Sequence, residues 1–197
     1  MCDYSQHDFN LFIAEVCGEV RDRPMRWAID ARIREFYNAI DRQDWKVARN
    51  FLRHDAKFIT TLAGPGGIED NADGIVQKIR AMHFSRQRTV IKLLVIDRGR
   101  ATCFLEHFWM LGDEEWHLIA KVPPCFYRFS AVEVLDLDEK FFIKRIENRD
   151  IDPQCRITNG TFEEMNAAAA KSKKEATVMG ENFGFNQRSG ALTPHDS

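Results

Sequence analysis

The sequence contains no cysteine pair at short spacing. Cys2, Cys17, Cys103, Cys125 and Cys155 are odd in number and form no C-x-x-C, which argues against a disulfide-built scaffold or zinc ribbon and for reduced thiols used as small core residues. His7, His54, His83, His107, His117 and His195 make no H-x-H, H-E-x-x-H or zinc-finger spacing, so no metal is implied. There is no G-x-G-x-x-G, no Walker A loop and no G-x-S-x-G; Gly64-Pro65-Gly66-Gly67 is turn punctuation, and no cofactor is expected. No run approaches the roughly 20 apolar residues of a membrane helix. Neither sign of charge dominates: 28 Lys and Arg against 30 Asp and Glu leave a net −2, which argues against nucleic acid as a partner. Asp3, Asp8, Glu15 and Glu19 stand where a signal peptide needs a basic start and an apolar stretch, so a cytoplasmic protein is expected.

What is present is enough for a substantial core. The chain has 197 residues, 44% of them hydrophobic and 15 of them Phe, the content of an ordinary globular protein rather than a disordered one. Asp8 can cap a first helix carrying Phe9, Phe12, Ile13, Val16 and Val20. After Pro24, a second helix from about Met25 places Ile29, Ile33, Phe36, Tyr37 and Ile40 on one face. Asp44 then caps a third, with Trp45, Val47, Ala48, Phe51 and Leu52. Lys57–Leu62 reads as a short strand, and Asn71 or Asp73 opens a further amphipathic helix with Ile75, Val76, Ile79 and Met82.

Four long β-rich runs follow: 89–96, 100–111, 125–135 and 141–149, the first two joined by the hairpin signal Asp97-Arg98-Gly99. Thr161 and Glu164 form a capping box that opens an Ala-rich helix towards Gly180. The expected fold is α+β, a cone-shaped curved antiparallel β-sheet packed against N-terminal helices. The divisions are 1–24 as a helical extension, 25–152 as the main domain, and 153–197 as a C-terminal helix with a tail. Cys103, Leu105 and Trp109 alternate with Phe104, Phe108 and Met110 along one strand, so both sheet faces need cover, and the tail helix or a second subunit would supply it.

A cone closed by helices leaves an apolar cavity. Period two places His107 on the face of Cys103, Leu105 and Trp109, where a histidine is either a satisfied core residue or an acid/base. Asp41, ending the long helix, is its natural partner, unless it serves only as a turn residue. Tyr37 can offer a phenol to a carbonyl oxygen, and Trp109 can stack on a flat ligand. Arg128 and Ser130 share a strand face, either at the cavity or at a solvated rim, and could hold an oxyanion.

The segment Phe36-Tyr37-Asn38-Ala39-Ile40-Asp41-Arg42-Gln43-Asp44-Trp45, with the element order that follows it, resembles the nuclear transport factor 2-like superfamily, in its SnoaL-like cyclase and scytalone dehydratase branch. The resemblance covers about residues 25–152. It implies a supporting catalytic role for Asp41 and a catalytic role for the mid-strand His107. It also brings Thr60 into the substrate site, where the family has a tyrosine. Ile40 replaces another family tyrosine, Thr89 a second histidine, and Ser130 lies near an asparagine position. The function so implied is a cofactor-independent isomerase, cyclase or dehydratase acting on a small apolar carbonyl compound of polyketide or terpenoid type. A hydrolytic variant on an epoxide or lactone uses the same pair. The alternative is a non-catalytic homodimeric domain for ligand binding or protein association.

Overall fold

The apolar stripe at helical spacing forms helix α1 (Arg23–Asp41), whose Ile29, Ile33, Phe36, Tyr37 and Ile40 are all buried. The computed structural model describes residues 23–60, 68–82, 86–110, 123–151 and 155–182. The helix expected from Asp8, the glycine-proline turn at 64–67, the loop of Trp116 and His117, and the tail past 182 lie outside the described residues.

Gln43, at φ 57°, lets the chain reverse after α1, and Asp44 then caps α2 (Trp45–Asn50) by accepting a 3.1 Å bond from the Val47 N–H. The helix stops two residues earlier than its apolar pattern predicts. Leu52 instead begins β1 (Leu52–Ile59), because the Phe51 carbonyl and Leu52 are taken into pairing with Ile143. Tertiary pairing overrides the local helical period here. Strand β2 (Ile68–Glu69) pairs with the end of β1, and Asn71 caps α3 (Ala72–Met82) through a 2.7 Å bond from the Gly74 N–H.

Strands β3 (Arg86–Asp97) and β4 (Arg100–Met110) form the expected hairpin, with Arg98 at φ 51° in its two-residue turn. Strand β5 (Cys125–Leu137) pairs with β4 along its whole length, and β6 (Ile143–Ile151) with the second half of β5. The short β7 (Arg156–Asn159) takes the first half of that same β5 edge. The sheet order is β2-β1-β6-β5-β4-β3, antiparallel except where β1 meets β6. Irregularities between Ile91 and Leu93, and between Val132 and Glu133, bend the sheet. Its concave side closes over α1 and α3 to form the main core.

The capping box opens the last helix, α4 (Phe162–Asn182): the Thr161 N–H donates to Glu164 at 2.7 Å, and the Glu164 N–H to Thr161 Oγ1 at 3.3 Å. This helix covers part of the convex face, packing Met165 and Ala169 against Val90, Phe108, Met110 and Phe126. A buried polar latch holds it further along. Glu106 accepts from Ser172 Oγ and, at 2.6 Å, from Arg128, while Lys92 donates to the Ser172 carbonyl at 3.1 Å. The partners satisfy a carboxylate that would otherwise be costly beneath a helix. Arg86 and Arg88 stack on the Phe162 ring at 4.2 and 5.0 Å. Beyond the helix, Leu93, Val95 and Phe104 stay 38–49% exposed on the convex face. No described helix is long and apolar enough to cross a membrane.

Met165 is wholly buried beneath α4, so Met165→Ala should cost about 2–5 kcal/mol by chemical denaturation. The half-exposed Leu93→Ala should cost clearly less, and equal costs would mean that α4 does not pack as described.

Candidate active site

The last turn of α1 delivers Asp41 to the start of β3, where three donors converge on its carboxylate. The Thr89 N–H donates to Oδ2 at 2.7 Å, the Thr89 hydroxyl to Oδ1 at 3.0 Å, and the Gln87 side-chain amide to Oδ1 at 3.1 Å. Arg88 reaches the Asp41 backbone carbonyl at 3.4 Å. Burial pushes the Asp41 carboxyl above its ordinary value, against the pull of the Thr89 bonds, the Arg88 charge and the Gln87 amide.

The Thr89 hydroxyl also lies 3.3 Å from His107 Nδ1, and the two residues face each other across the β3–β4 pair. Because the threonine proton points to Asp41, its oxygen accepts from Nδ1–H. An imidazole protonated at Nδ1 fits this arrangement. The partnership anticipated between Asp41 and His107 therefore runs through a third side chain. Thr89, noted in the sequence only as a departure from a histidine, is the connector. His107 is buried and packed in an aromatic cluster, 5.1 Å from the Phe129 ring and 5.7 Å from the Trp109 ring, centroid to centroid.

A second polar unit lies in the same cavity. Tyr37 donates its phenol proton to Glu133 Oε2 at 2.7 Å, and the Asn148 amide donates to Oε1 at 2.6 Å. Glu133 and Asn148 are cross-strand partners next to a bulge in which β6 carries one extra residue, Arg149, opposite the Val132–Glu133 step of β5. Burial raises the Glu133 carboxyl above its ordinary value despite both hydrogen bonds. The Tyr37 phenol is raised too, by burial first and then by the neighbouring Glu133 charge.

Gln87, Thr89 and His107 of the first unit and all of the second line one cavity of about 60 Å³, whose wall is otherwise mainly apolar and includes Phe36, Ile40, Phe58 and Ile146; Asp41 itself is not among the lining residues. That is well below the roughly 150 Å³ that holds a benzene ring. Only the reacting end of a metabolite fits without movement of side chains. Among the described residues, no group of His, Cys, Asp and Glu forms a metal-ion site.

Tyr37, Trp109 and His107 line this cavity. Thr60 is buried at the end of β1 but is not among the cavity residues. Arg128 and Ser130 require correction. They share a face as the alternation predicts, but it is the convex one: Arg128 bonds Glu106 and lies over the Phe108 ring, and Ser130 is exposed opposite Glu106. Two-residue periodicity names a shared face without saying which face is concave. Sequence reasoning missed Glu133, Gln87 and Asn148. The available signal was an acid between Ala131 and Leu135 on a face that both mark as core.

This arrangement, helices closing a bent open sheet over a polar-tipped apolar cavity, is the nuclear transport factor 2-like fold. Solved structures similar to the chain include a protein assigned as a SnoaL-like polyketide cyclase from Shewanella putrefaciens, at 16% identity and TM-score 0.52, over 72% of this chain and 97% of that one. The Δ5-3-ketosteroid isomerase of Mycobacterium sp. is similar at 9% identity and TM-score 0.53, over 66% and 98%. An epoxide hydrolase/cyclase-like enzyme with a role in pyran ring formation in the polyether salinomycin is similar at 9% identity and TM-score 0.52, over 62% and 90%. No protein-family model and no curated protein matches the sequence.

The raised Glu133 carboxyl makes a stability prediction. Between the ordinary glutamate value of 4.5 and its higher folded value, the native chain binds more protons than the unfolded one, so stability falls as pH rises through that window. Glu133→Gln should flatten this slope and raise the thermal midpoint above the window. The residual slope is that of Asp41, which has the same sign. Melting curves across a pH series check it; an unchanged slope would show that Glu133 does not titrate there.

Proposed function

We propose that the protein is a cofactor-independent isomerase, cyclase or dehydratase acting on a small, largely apolar, carbonyl-containing metabolite of polyketide or terpenoid type. The observation that carries this reading is the donor chain from His107 through Thr89 to the buried Asp41, with the imidazole at an apolar cavity. The isomerase and cyclase activities named for the structural neighbours support the same class of chemistry.

In this mechanism, His107 Nε2 removes a proton from the carbon next to the substrate carbonyl, and the electron pair of that C–H bond moves into an enolate. The imidazolium that forms is stabilised through Thr89 by the Asp41 carboxylate. The enolate oxygen is received at the Tyr37–Glu133 unit, where the phenol proton now given to Glu133 is turned to the developing oxyanion. Isomerisation returns the proton to another carbon of the enolate. Dehydration passes a proton to a β-hydroxyl, which leaves as water. On an epoxide or lactone, the same imidazole activates water instead.

A dimer belongs to the same reading. Leu93, Val95 and Phe104 form an exposed apolar patch on the convex face beside α4, which supports association through that face and equally the non-catalytic alternative of an association domain.

Exchange of carbonyl α-protons for deuterium, followed by NMR over a panel of small cyclic ketones, tests the chemistry. His107→Ala should lose at least about 10²-fold in rate. Thr89→Val, which keeps the shape but breaks the link to Asp41, should lose roughly tenfold or more. Exchange that proceeds unchanged in His107→Ala would dismiss the catalytic reading. Sedimentation of a Leu93→Asp, Phe104→Asp double variant addresses the dimer. Conversion of a native dimer to monomer is expected, and a mass unaltered by the charges would remove this face as the interface.

A further inference from the structure

Gln87 and Thr89 reach the Asp41 carboxyl from the concave side of β3, and Arg88 lies between them in sequence. Alternation aims Arg88 away from the cavity. Strand β3 ends the sheet, however, so this long side chain turns round its edge to the end of α1. There Nη1 donates to the Gln87 carbonyl at 2.7 Å and to the Asp41 carbonyl at 3.4 Å. The guanidinium also lies 5.0 Å from the ring centroid of Phe162, the first residue of α4. Among the described residues, Arg88 pairs with no carboxylate.

A half-buried arginine without an acid needs another reason for its place, and the end of α1 supplies one. The last turn of α1 holds no basic residue of its own, so its carbonyls and negative dipole end meet no cation from within the helix. Arg42, the next residue, is turned to Glu35. Arg88 brings the missing charge from β3. The same charge acts on the Asp41 carboxyl, which burial raises: Thr89 and Gln87 oppose that rise as neutral donors, and Arg88 opposes it as a full cation. Of the other ionisable groups nearby, His107 of β4 stands across Thr89, Arg86 of β3 stacks on the same Phe162 ring at 4.2 Å, and the Asp44 carboxylate is spent in capping α2.

We propose that Arg88 is a positioning residue of the site: it caps the last carbonyl of α1 and lends its charge to Asp41, so that the carboxylate stays ionised behind Thr89 and His107. This rests on the reading of His107 as the base and adds the group that sustains its support. Arg88 touches no reacting atom and acts through Asp41. Helix α4 thereby takes part in the chemistry, because Phe162 holds the guanidinium from the convex side. Removing a positive charge disfavours the carboxylate, so protonation of Asp41, and with it the loss of support for the imidazolium, moves to higher pH.

The side-chain carboxyl ¹³C signal of Asp41 is titrated by NMR in wild type, Arg88→Gln and Arg88→Lys, beside pH profiles of ketone α-proton exchange. Glutamine keeps a donor for the Asp41 carbonyl and removes the charge, whereas lysine keeps the charge. In Arg88→Gln the titration midpoint should move up, and exchange on the acid limb should fall about threefold or more and recover at higher pH. Arg88→Lys should stay nearer wild type. Phe162→Leu, which leaves Arg88 and the Thr161–Glu164 box in place, should move the midpoint the same way by less, and it decides the matter if Arg88→Gln does not fold. An unmoved midpoint, an equal displacement by lysine and glutamine, or a rate loss uniform across pH would each overturn the proposal. The carboxyl titration needs no substrate: if no ketone exchanges in any of these proteins, the base reading of His107 fails, and the midpoint still decides the action of Arg88 on Asp41.

Discussion

A carboxylate at the C-terminal end of a helix faces an unfavourable helix dipole and, once buried, a loss of hydration. Asp41 endures both because the start of β3 supplies a backbone N–H, a hydroxyl and an amide to its two oxygens. That one docking joins α1 to the sheet, sets the height of the helix over the concave face, and determines which way the Thr89 hydroxyl points. The orientation of His107 follows from it. Were Asp41 displaced, the helix end, the β3 edge and the imidazole would lose their common reference at once.

The apolar cavity is bordered by two carboxyl groups, Glu133 in its wall and Asp41 behind Thr89, that burial alone would not sustain. Asp41 is satisfied by donors of β3 alone, and Glu133 by Tyr37 of α1 together with Asn148 of β6. Because α1 contributes to both, the helix is the element that sets their separation. Low local polarity raises both carboxyls and strengthens every hydrogen bond between them and their partners. Cys103, beside Tyr37 and Glu133, is pushed upward by the same burial and stays a thiol, a small core residue as its spacing suggested.

The opposite face of the sheet shows how one strand serves two purposes. In β4, odd positions such as Cys103, Leu105 and His107 face the helices and the cavity, while Phe108 and Met110 pack under α4. Glu106, between two cavity-facing residues, is therefore a latch for α4 and takes no part in the cavity: Arg128 and Ser172 hold it, and the balance of its contacts lowers it although burial opposes them. Local chemistry alone could not separate it from Glu133, an acid in an equally apolar strand.

Much of this was legible in the residues themselves because it depends on local physics. The 3.6-residue stripe of α1, the Asp44 and Asn71 caps, the Thr161–Glu164 box and the Asp97-Arg98-Gly99 hairpin act over a few residues, and each was found where its pattern placed it. Alternation likewise set His107 and Trp109 on one face. The rest needed the fold. Parity says that two side chains share a face but not whether that face is concave, so Arg128 and Ser130 fell on the wrong side and Glu133 passed unnoticed. The start of β1 at Leu52 required Ile143, some ninety residues away in sequence. Thr89 became a connector only when strand register set it opposite His107 while a helix end arrived above. The sequence alone determined the elements and their apolar faces, since those arise from neighbouring residues. Which polar groups meet in the cavity was decided by strand pairing and helix docking, because hydrogen bonds a few ångströms long join residues that only the tertiary structure brings within reach.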